Sequence, residues 1–283
     1  MKRRKTARTL AFALLTALAM TATAFGQRIW VGGGFNRGGW GSPPKWASIE
    51  DFDGSFNYCR GFFTSDRREA GGSGWNTDYP GSDNNFSVRL AELTRVHVKL
   101  DATGQPDHIV VALTDPLLAH CPVLYLEDVG TIHFSDAEVQ ALRAYLLKGG
   151  YLSVDDFWGT EAWNQWVREI SRVLPPAEYP IFDIPPGHPI LHALYDVKEV
   201  LQVSSIQFWR QSNGQVSERG FDSPHPNYRA IADERGRLMV VMAHNTDIPD
   251  TWEREGEDRD YFDLFSPRGY AIGVNTIIYG LTH

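Results

Sequence analysis

LRAYLLKGGYLSVDDFWG, residues 142–159, reads as the end of a helix, a stop, a short strand and a corner. Val139, Leu142, Leu146 and Leu147 recur at helical spacing, and Ser135 with Glu138 three residues on makes a capping box. A helix over 135–148 follows, ended by Gly149-Gly150. YLSV (151–154) is then a short buried strand that runs into two adjacent acids, Asp155 and Asp156. Outward from it, strand patterns recur at 96–100, 108–113, 122–128, 203–209, 229–233 and 237–243, with a first strand in FNYCRGFF from Phe56. Helical spacing marks 160–173 through Trp163, Trp166, Val167 and Ile170, and an apolar helix closes the chain at 269–281. After the turn DYPGSDNN (78–85), Phe86, Leu90 and Leu93 share a helix face, with Ser82, Asp83 or Asn84 as its cap. Alternating helix and strand is the pattern of an α/β domain with a mainly parallel sheet covered on both faces.

The amino terminus reads differently. Lys2, Arg3, Arg4, Lys5 and Arg8 precede an apolar run from Leu10 to Met20, and Ala22-Thr23-Ala24 offers a small-x-small cleavage site. The expected organisation is a signal peptide at 1–26, a Gly/Pro/Trp-rich extended lead-in at 27–55 and one α/β domain at 56–283. That predicts a periplasmic or secreted protein with no membrane span after cleavage. Loss of the leader moves the formal charge from −8 to −13, which argues against a nucleic-acid partner. The two cysteines, Cys59 and Cys121, read either as one disulfide in an oxidising compartment or as two buried thiols.

In open parallel sheets ligands collect beyond the carboxyl ends of the strands. Three such ends carry unusual residues: Asp155-Asp156, Glu127-Asp128, and AHNTDIPDTWE with His244, Asn245, Asp247, Asp250, Trp252 and Glu253. An acid at a strand-to-helix corner can cap the helix, ligate a cation or act as base or nucleophile. The 244–253 loop reads equally as a hard-cation site or as a solvated acidic loop. His188 and His192 fit local packing. No HExxH, CxxC pair, phosphate-binding glycine loop or G-x-S-x-G is present. No metal ligand set and no cofactor is assigned, although these residues allow a divalent cation.

Six motifs in order carry a resemblance: NTDYPGSDNNFSVRLAELT (76–94), LTDPLLAHCPVLYLED (113–128), LRAYLLKGGYLSVDDFWG (142–159), HPILH (188–192), GRLMVVMAHNTDIPDTWE (236–253) and GVNTIIYGLTH (273–283). They resemble the bacterial family called domain of unknown function 4159, from about Phe56 to His283. That resemblance implies a class I glutamine-amidotransferase-like fold, a flavodoxin-like three-layer sandwich. It also suggests a more distant likeness to trehalose-utilisation-type proteins, through Gly149-Gly150, His188-Pro189-Ile190 and Gly236 to His244. The nucleophile's elbow then falls on Asp155 or Asp156, where amidotransferases have Cys, and His244 lies near the place of their His. A carboxylate attacks amides poorly, so glutaminase activity is not implied.

Two expectations follow. One is a ligand- or partner-binding module of the cell envelope, using Trp158, Asn245, Asp250, Trp252 and Glu253, with Phe157 and Trp163 extending an aromatic platform for a small molecule, a glycan or an envelope protein. The other is a carboxylate- or metal-dependent hydrolase of a glycan or related small substrate, with Asp155, Asp156 and His244 as its catalytic set and Asp250 and Glu253 as further acids.

Overall fold

The computed structural model describes residues 42–283. The expected signal peptide and lead-in residues 27–41 lie outside that range. The strands are β1 (Tyr58–Phe62), β2 (Thr64–Ser65), β3 (His108–Ala112), β4 (Val123–Glu127), β5 (Ile132–His133), β6 (Tyr151–Asp155), β7 (Ile181–Asp183), β8 (Asn227–Ala232) and β9 (Leu238–His244). The helices are α1 (Gly81–Leu93), α2 (Asp136–Leu147), α3 (Gly159–Val173), α4 (Ile206–Gln211), α5 (Asp250–Glu253) and α6 (Arg259–Thr282). None is long and apolar enough to cross a membrane, among the described residues.

Seven strands make one sheet in the order β3-β1-β4-β6-β9-β8-β7. The first five are mutually parallel, and β8 runs antiparallel to both its neighbours. The chain is therefore a mixed α/β protein with a mostly parallel central sheet. Alternate residues of β4 show how it is covered. Val123 and Tyr125 face the apolar layer that contains Phe86 and Leu90 of α1, Trp252 of α5 and Tyr270 of α6. Leu124 and Leu126 face the other layer, with Leu142 and Leu146 of α2 and Trp166 and Ile170 of α3.

The opening stretch folds as read, with one change of side chain. Ser135 and Glu138 form the reciprocal cap, and Gly149 at φ +112° ends α2. Leu147 is exposed; Tyr145 takes its place in the stripe. The Tyr145 hydroxyl donates to the carbonyls of Cys121 and Tyr151, and a Cβ on Gly150 would sit 2.5 Å from its ring.

Three expectations are corrected. Residues 96–100 make only single bridges, Phe56 to Val98 and Leu100 to Pro106, because pairing breaks off just ahead of β1. Residues 203–209 are not a strand: Ser205 accepts from the Phe208 amide and starts α4. A local side-chain cap there outweighs an apolar run that fits either period. The last helix begins ten residues earlier than 269, where Asp258 accepts from the amides of Asp260 and Tyr261, and it continues through Pro267. Within the lead-in, Trp46 forms a parallel bridge to Val110 on the outer edge of β3.

Of the two readings for the cysteines, the structure has the bridge. Cys59 of β1 joins Cys121 just ahead of β4, with a Cα–Cα distance of 6.0 Å and both residues buried. The link spans a sequence separation of 62 and ties β1 to the start of β4 across the β3 crossover. Cys59→Ala with Cys121→Ala should lower unfolding free energy by about 2–4 kcal/mol, chiefly by releasing a long loop in the unfolded chain. Urea denaturation of the two forms measures the difference.

Candidate functional site

The carboxyl edge of the sheet has a repeated local geometry. β4, β6 and β9 are neighbours, and each is followed at once by a non-glycine residue in the left-handed region: Asp128 (φ +52°), Asp156 (φ +50°) and Asn245 (φ +61°). Asp and Asn adopt that region more readily than other side chains. The corners are laced together, since the Asp128 amide donates to the Asp155 carbonyl (3.2 Å) and the Asn245 amide to the Phe157 carbonyl (3.0 Å).

This geometry separates the two adjacent acids. Asp155 ends β6 and is buried, with Oδ1 accepting from the amides of Asp156 (2.8 Å) and Ile248 (3.1 Å). It braces the loop after β9 and does not line the cavity described next. Asp156, one residue on, faces that cavity, and its Oδ1 accepts from Trp158 Nε1 at 2.9 Å.

A cavity of about 280 Å³ lies beyond these strand ends, lined by eight acidic residues and, as its single cationic side chain, Arg219. Asp78, Asp250 and Glu253 bring carboxylate oxygens within 4.8 Å of one another, and so do Asp78, Asp156 and Asp247. Asp128, Glu69 and Glu218 complete the acidic lining. Burial, reinforced by neighbouring carboxylates, holds Asp78, Asp156, Asp247 and Glu253 well above the usual carboxylate range. Burial also pushes Asp128 up to about 7. A second cavity of about 420 Å³ shares Glu69, Gly72 and Asp128 with the first and adds Arg67 and Arg68.

What places Asp78 is a buried arginine. Arg60 of β1 is fully enclosed; Nε donates to Asp83 (3.0 Å), Nη1 to the Thr77 carbonyl (3.1 Å), and Nη2 to Ser82 Oγ (2.8 Å) and Glu127 Oε1 (2.9 Å). One guanidinium thereby clamps the residue before Asp78, the first turn of α1 and the end of β4. It also overturns the expected capping of α1. Ser82 and Asp83 are taken by Arg60, Asn84 pairs with His108 Nδ1 (2.8 Å), and Pro80 stands at the cap position with no side-chain bond.

The other expected site residues divide. Asp156, Trp158, Asp250 and Glu253 line the cavity. His244 does not: it is buried against the rings of Phe157 (4.9 Å) and Trp163 (5.1 Å), with Nε2 3.0 Å from the Gly159 carbonyl. Burial lowers its pKa to about 4, so it is a neutral brace at neutral pH. Asn245 accepts from the Gly159 amide (2.8 Å) and donates to the His225 carbonyl (3.1 Å), pinning the start of α3 to the end of β9. Trp252 is wholly buried between Phe86 and Tyr270, so the expected Trp158–Trp252 platform does not form. Glu69, Asp78, Glu218 and Arg219 were not among the sequence candidates. Asp78 lay inside a stretch readable as turn chemistry, and the others carry no local signal.

A family model described as domain of unknown function (DUF4159) matches residues 67–281. The chain belongs to that family. No curated protein matches the sequence. The DUF4159 span contains every acidic residue of the cavity, from Glu69 to Glu253, whereas Arg60 and Cys59 precede it.

Arg60→Met should destabilise the fold by about 3–5 kcal/mol in urea denaturation, because Asp83 and Glu127 stay buried without their partner. Replacing all three by apolar residues should recover much of that loss. The pH dependence has a definite sign as well. Burial raises Glu127 and Asp128 to about 7 from ordinary values of 4.5 and 3.8, so the native state binds more protons than the unfolded chain. Their contribution is full below the ordinary values and is lost as pH rises through about 7. His244, lowered from 6.5 to about 4, acts oppositely as pH falls below 6.5. Chelator-treated protein should therefore melt at a higher temperature at pH 6 than at pH 8, and scanning fluorimetry across that range would expose a flat or reversed trend.

Proposed function

We propose that this DUF4159 chain is an exported, amidotransferase-like domain without the thiol nucleophile, whose acidic cavity binds a divalent cation and, through it, an oxygen-rich ligand of the cell envelope. The observation that carries the reading is the convergence of Asp78, Asp156, Asp247, Asp250 and Glu253 in one cavity where Arg219 is the single cationic side chain. Hard divalent cations take oxygen ligands at about 2.0–2.6 Å, which suits carboxylates this close. In chain order the five parallel strands lie second, first, third, fourth, fifth, the order of flavodoxin-like sheets, and the cavity sits at the edge where such sheets bind ligands. Export rests on the leader at residues 1–26.

With Trp252 in the core, stacking on a broad aromatic surface gives way to recognition through the cation. The adjoining cavity supplies room, and Arg68 a guanidinium, for the remainder of a small molecule or glycan, while Arg67 is paired with Glu69 and Glu161. A hydrolytic role is the second reading. It is favoured by Asp128, raised to about 7 beside acids that a cation would keep ionised, because a hydrolase needs one protonated and one ionised carboxyl group.

Chelator-treated protein titrated with Mg²⁺, Ca²⁺ or Mn²⁺ should gain about 5–10 °C in melting temperature at saturation, the size expected for occupancy near a hundredfold above Kd. Asp156→Asn keeps a residue that tolerates positive φ. It should melt higher than wild type without cation, through relief of repulsion, and lose most of the cation-induced gain. No shift with any of the three ions, together with an unchanged cation-free melting point in Asp156→Asn, would count against the cation site.

A further inference from the structure

The two carboxylate groups share a single member, Asp78. Among the described residues it accepts, like Glu253, no hydrogen bond on its carboxylate, but unlike Glu253 it belongs to both groups and has no cationic side chain within 4.0 Å. Asp156 gives one oxygen to Trp158 Nε1, Asp247 gives Oδ1 to the Asp250 amide (2.9 Å), and Asp250 gives Oδ2 to the Ile206 amide and the Tyr261 hydroxyl. Asp156 and Asp247 each keep the other oxygen without a protein donor among the described residues, and Asp250 lies against the Glu253 carboxyl group. Asp78 gives neither: its carboxylate accepts no hydrogen bond among the described residues, and its Oδ2 is buried. Asp247, at 3% exposure, also lines the cavity, with Oδ1 held by the Asp250 amide. Buried carboxylate oxygens without donors are costly, and a cation satisfies them directly.

We infer, building on the cation-binding reading, that the cavity is a two-cation centre bridged by Asp78, with Asp156 and Asp247 holding one ion and Asp250 and Glu253 the other. Size supports two ions. Opposite oxygens around an ion with bonds of about 2.1–2.4 Å stand about 4.2–4.8 Å apart, so oxygens that all lie within 4.8 Å of one another are close enough to share one ion, and the five carboxylates form two such groups. Charge supports it too. One divalent ion leaves three of the five negative charges unbalanced in a desolvated space, whereas two leave one. Among the described residues no Lys, Arg or His lies within 4.0 Å of the carboxylates of Asp78, Asp156, Asp247 or Asp250. The nearby guanidiniums are hydrogen-bonded elsewhere: Arg60 to Asp83 and Glu127, Arg219 to Glu69 and the Ala70 carbonyl, and Arg254, which lies 3.9 Å from Glu253, to Glu257 at 2.7 Å. A carboxylate with both oxygens free is what a bridge requires, and bridged ions sit about 3.5–4 Å apart. The oxygens tied to Trp158, Asp250 and Ile206 orient the terminal ligands.

The test is Mn²⁺ binding to the chelator-treated full chain, counted by equilibrium dialysis and read by electron paramagnetic resonance. The expected result is two ions per chain with an exchange-coupled spectrum. Asp78→Asn, which keeps a side chain suited to φ +58°, should abolish the coupling and reduce the count to one or none with circular dichroism unchanged. Should that variant fail to fold, Asp156→Asn serves instead, and is expected to leave one ion with an uncoupled six-line signal. One uncoupled Mn²⁺ in the wild type would overturn the two-ion centre and leave the single-cation reading standing. No bound Mn²⁺ would overturn both. Coupling that survives in Asp78→Asn would refute the bridge.

Discussion

A positive charge with no access to water organises the carboxyl edge of this protein. Arg60 sits on β1, one strand in from the β3 edge of the sheet, between the rings of Tyr58 and Tyr79 and hydrogen-bonded to Asp83, Ser82, Glu127 and the Thr77 carbonyl. Those partners come from three separate parts of the chain: the turn before α1, the first turn of α1 and the end of β4. A buried guanidinium tolerates little slack in its partners, because every lost hydrogen bond leaves charge in a medium that cannot screen it. The consequence for function is positional. The loop that holds Asp78 is anchored at its neighbour Thr77, and the strand that leads to Asp128 is anchored at Glu127.

The same edge concentrates backbone strain. Asp78, Asp128, Asp156 and Asn245 all have positive φ, in a region that non-glycine residues enter at a cost, and all but Asn245 line the cavity. Asn245 stays outside and uses its side chain to tie α3 to β9. Each corner turns the chain sharply away from the sheet, so that successive acids diverge. Asp155 continues the strand into the core, and Asp156 swings to the cavity. An adjacent pair in sequence thus becomes one brace and one ligand-facing group.

The electrostatic ledger of the cavity is unbalanced by protein groups alone. Arg60 compensates Asp83 and Glu127, Arg219 compensates Glu69, and Arg254 lies 3.9 Å from Glu253, but among the described residues Asp78, Asp156, Asp247 and Asp250 have no cationic side chain within 4.0 Å. Desolvation and mutual repulsion then act in one direction, toward holding protons or cations. Core packing has no need of such an arrangement, since apolar residues of equal volume would fill the space without the electrostatic penalty. That is the physical reason to assign the cavity to binding.

From the sequence alone came the α/β alternation, the capping box on Ser135, the Gly149-Gly150 stop, the buried strand after it and the family resemblance. These are local, set by periodicity and by residues within a turn of one another. Six cavity residues, Asp128, Asp156, Trp158, Asp247, Asp250 and Glu253, were also legible, because acids and aromatics in the loops that follow buried apolar runs are conspicuous. Only the tertiary structure decided which of the neighbouring polar residues face the cavity. His244 and Asn245 have the same sequence signature as Asp250 but turn into the core, and Trp252 packs where a platform had been expected. Asp78 and Glu69 reach the site from a loop some fifty to ninety residues away along the chain, so no window of sequence relates them to Asp128 or Asp156. Arg60 looked like an ordinary strand residue. Its role exists only once β1, α1 and β4 meet, since the burial that makes its charge decisive is a property of the assembled core.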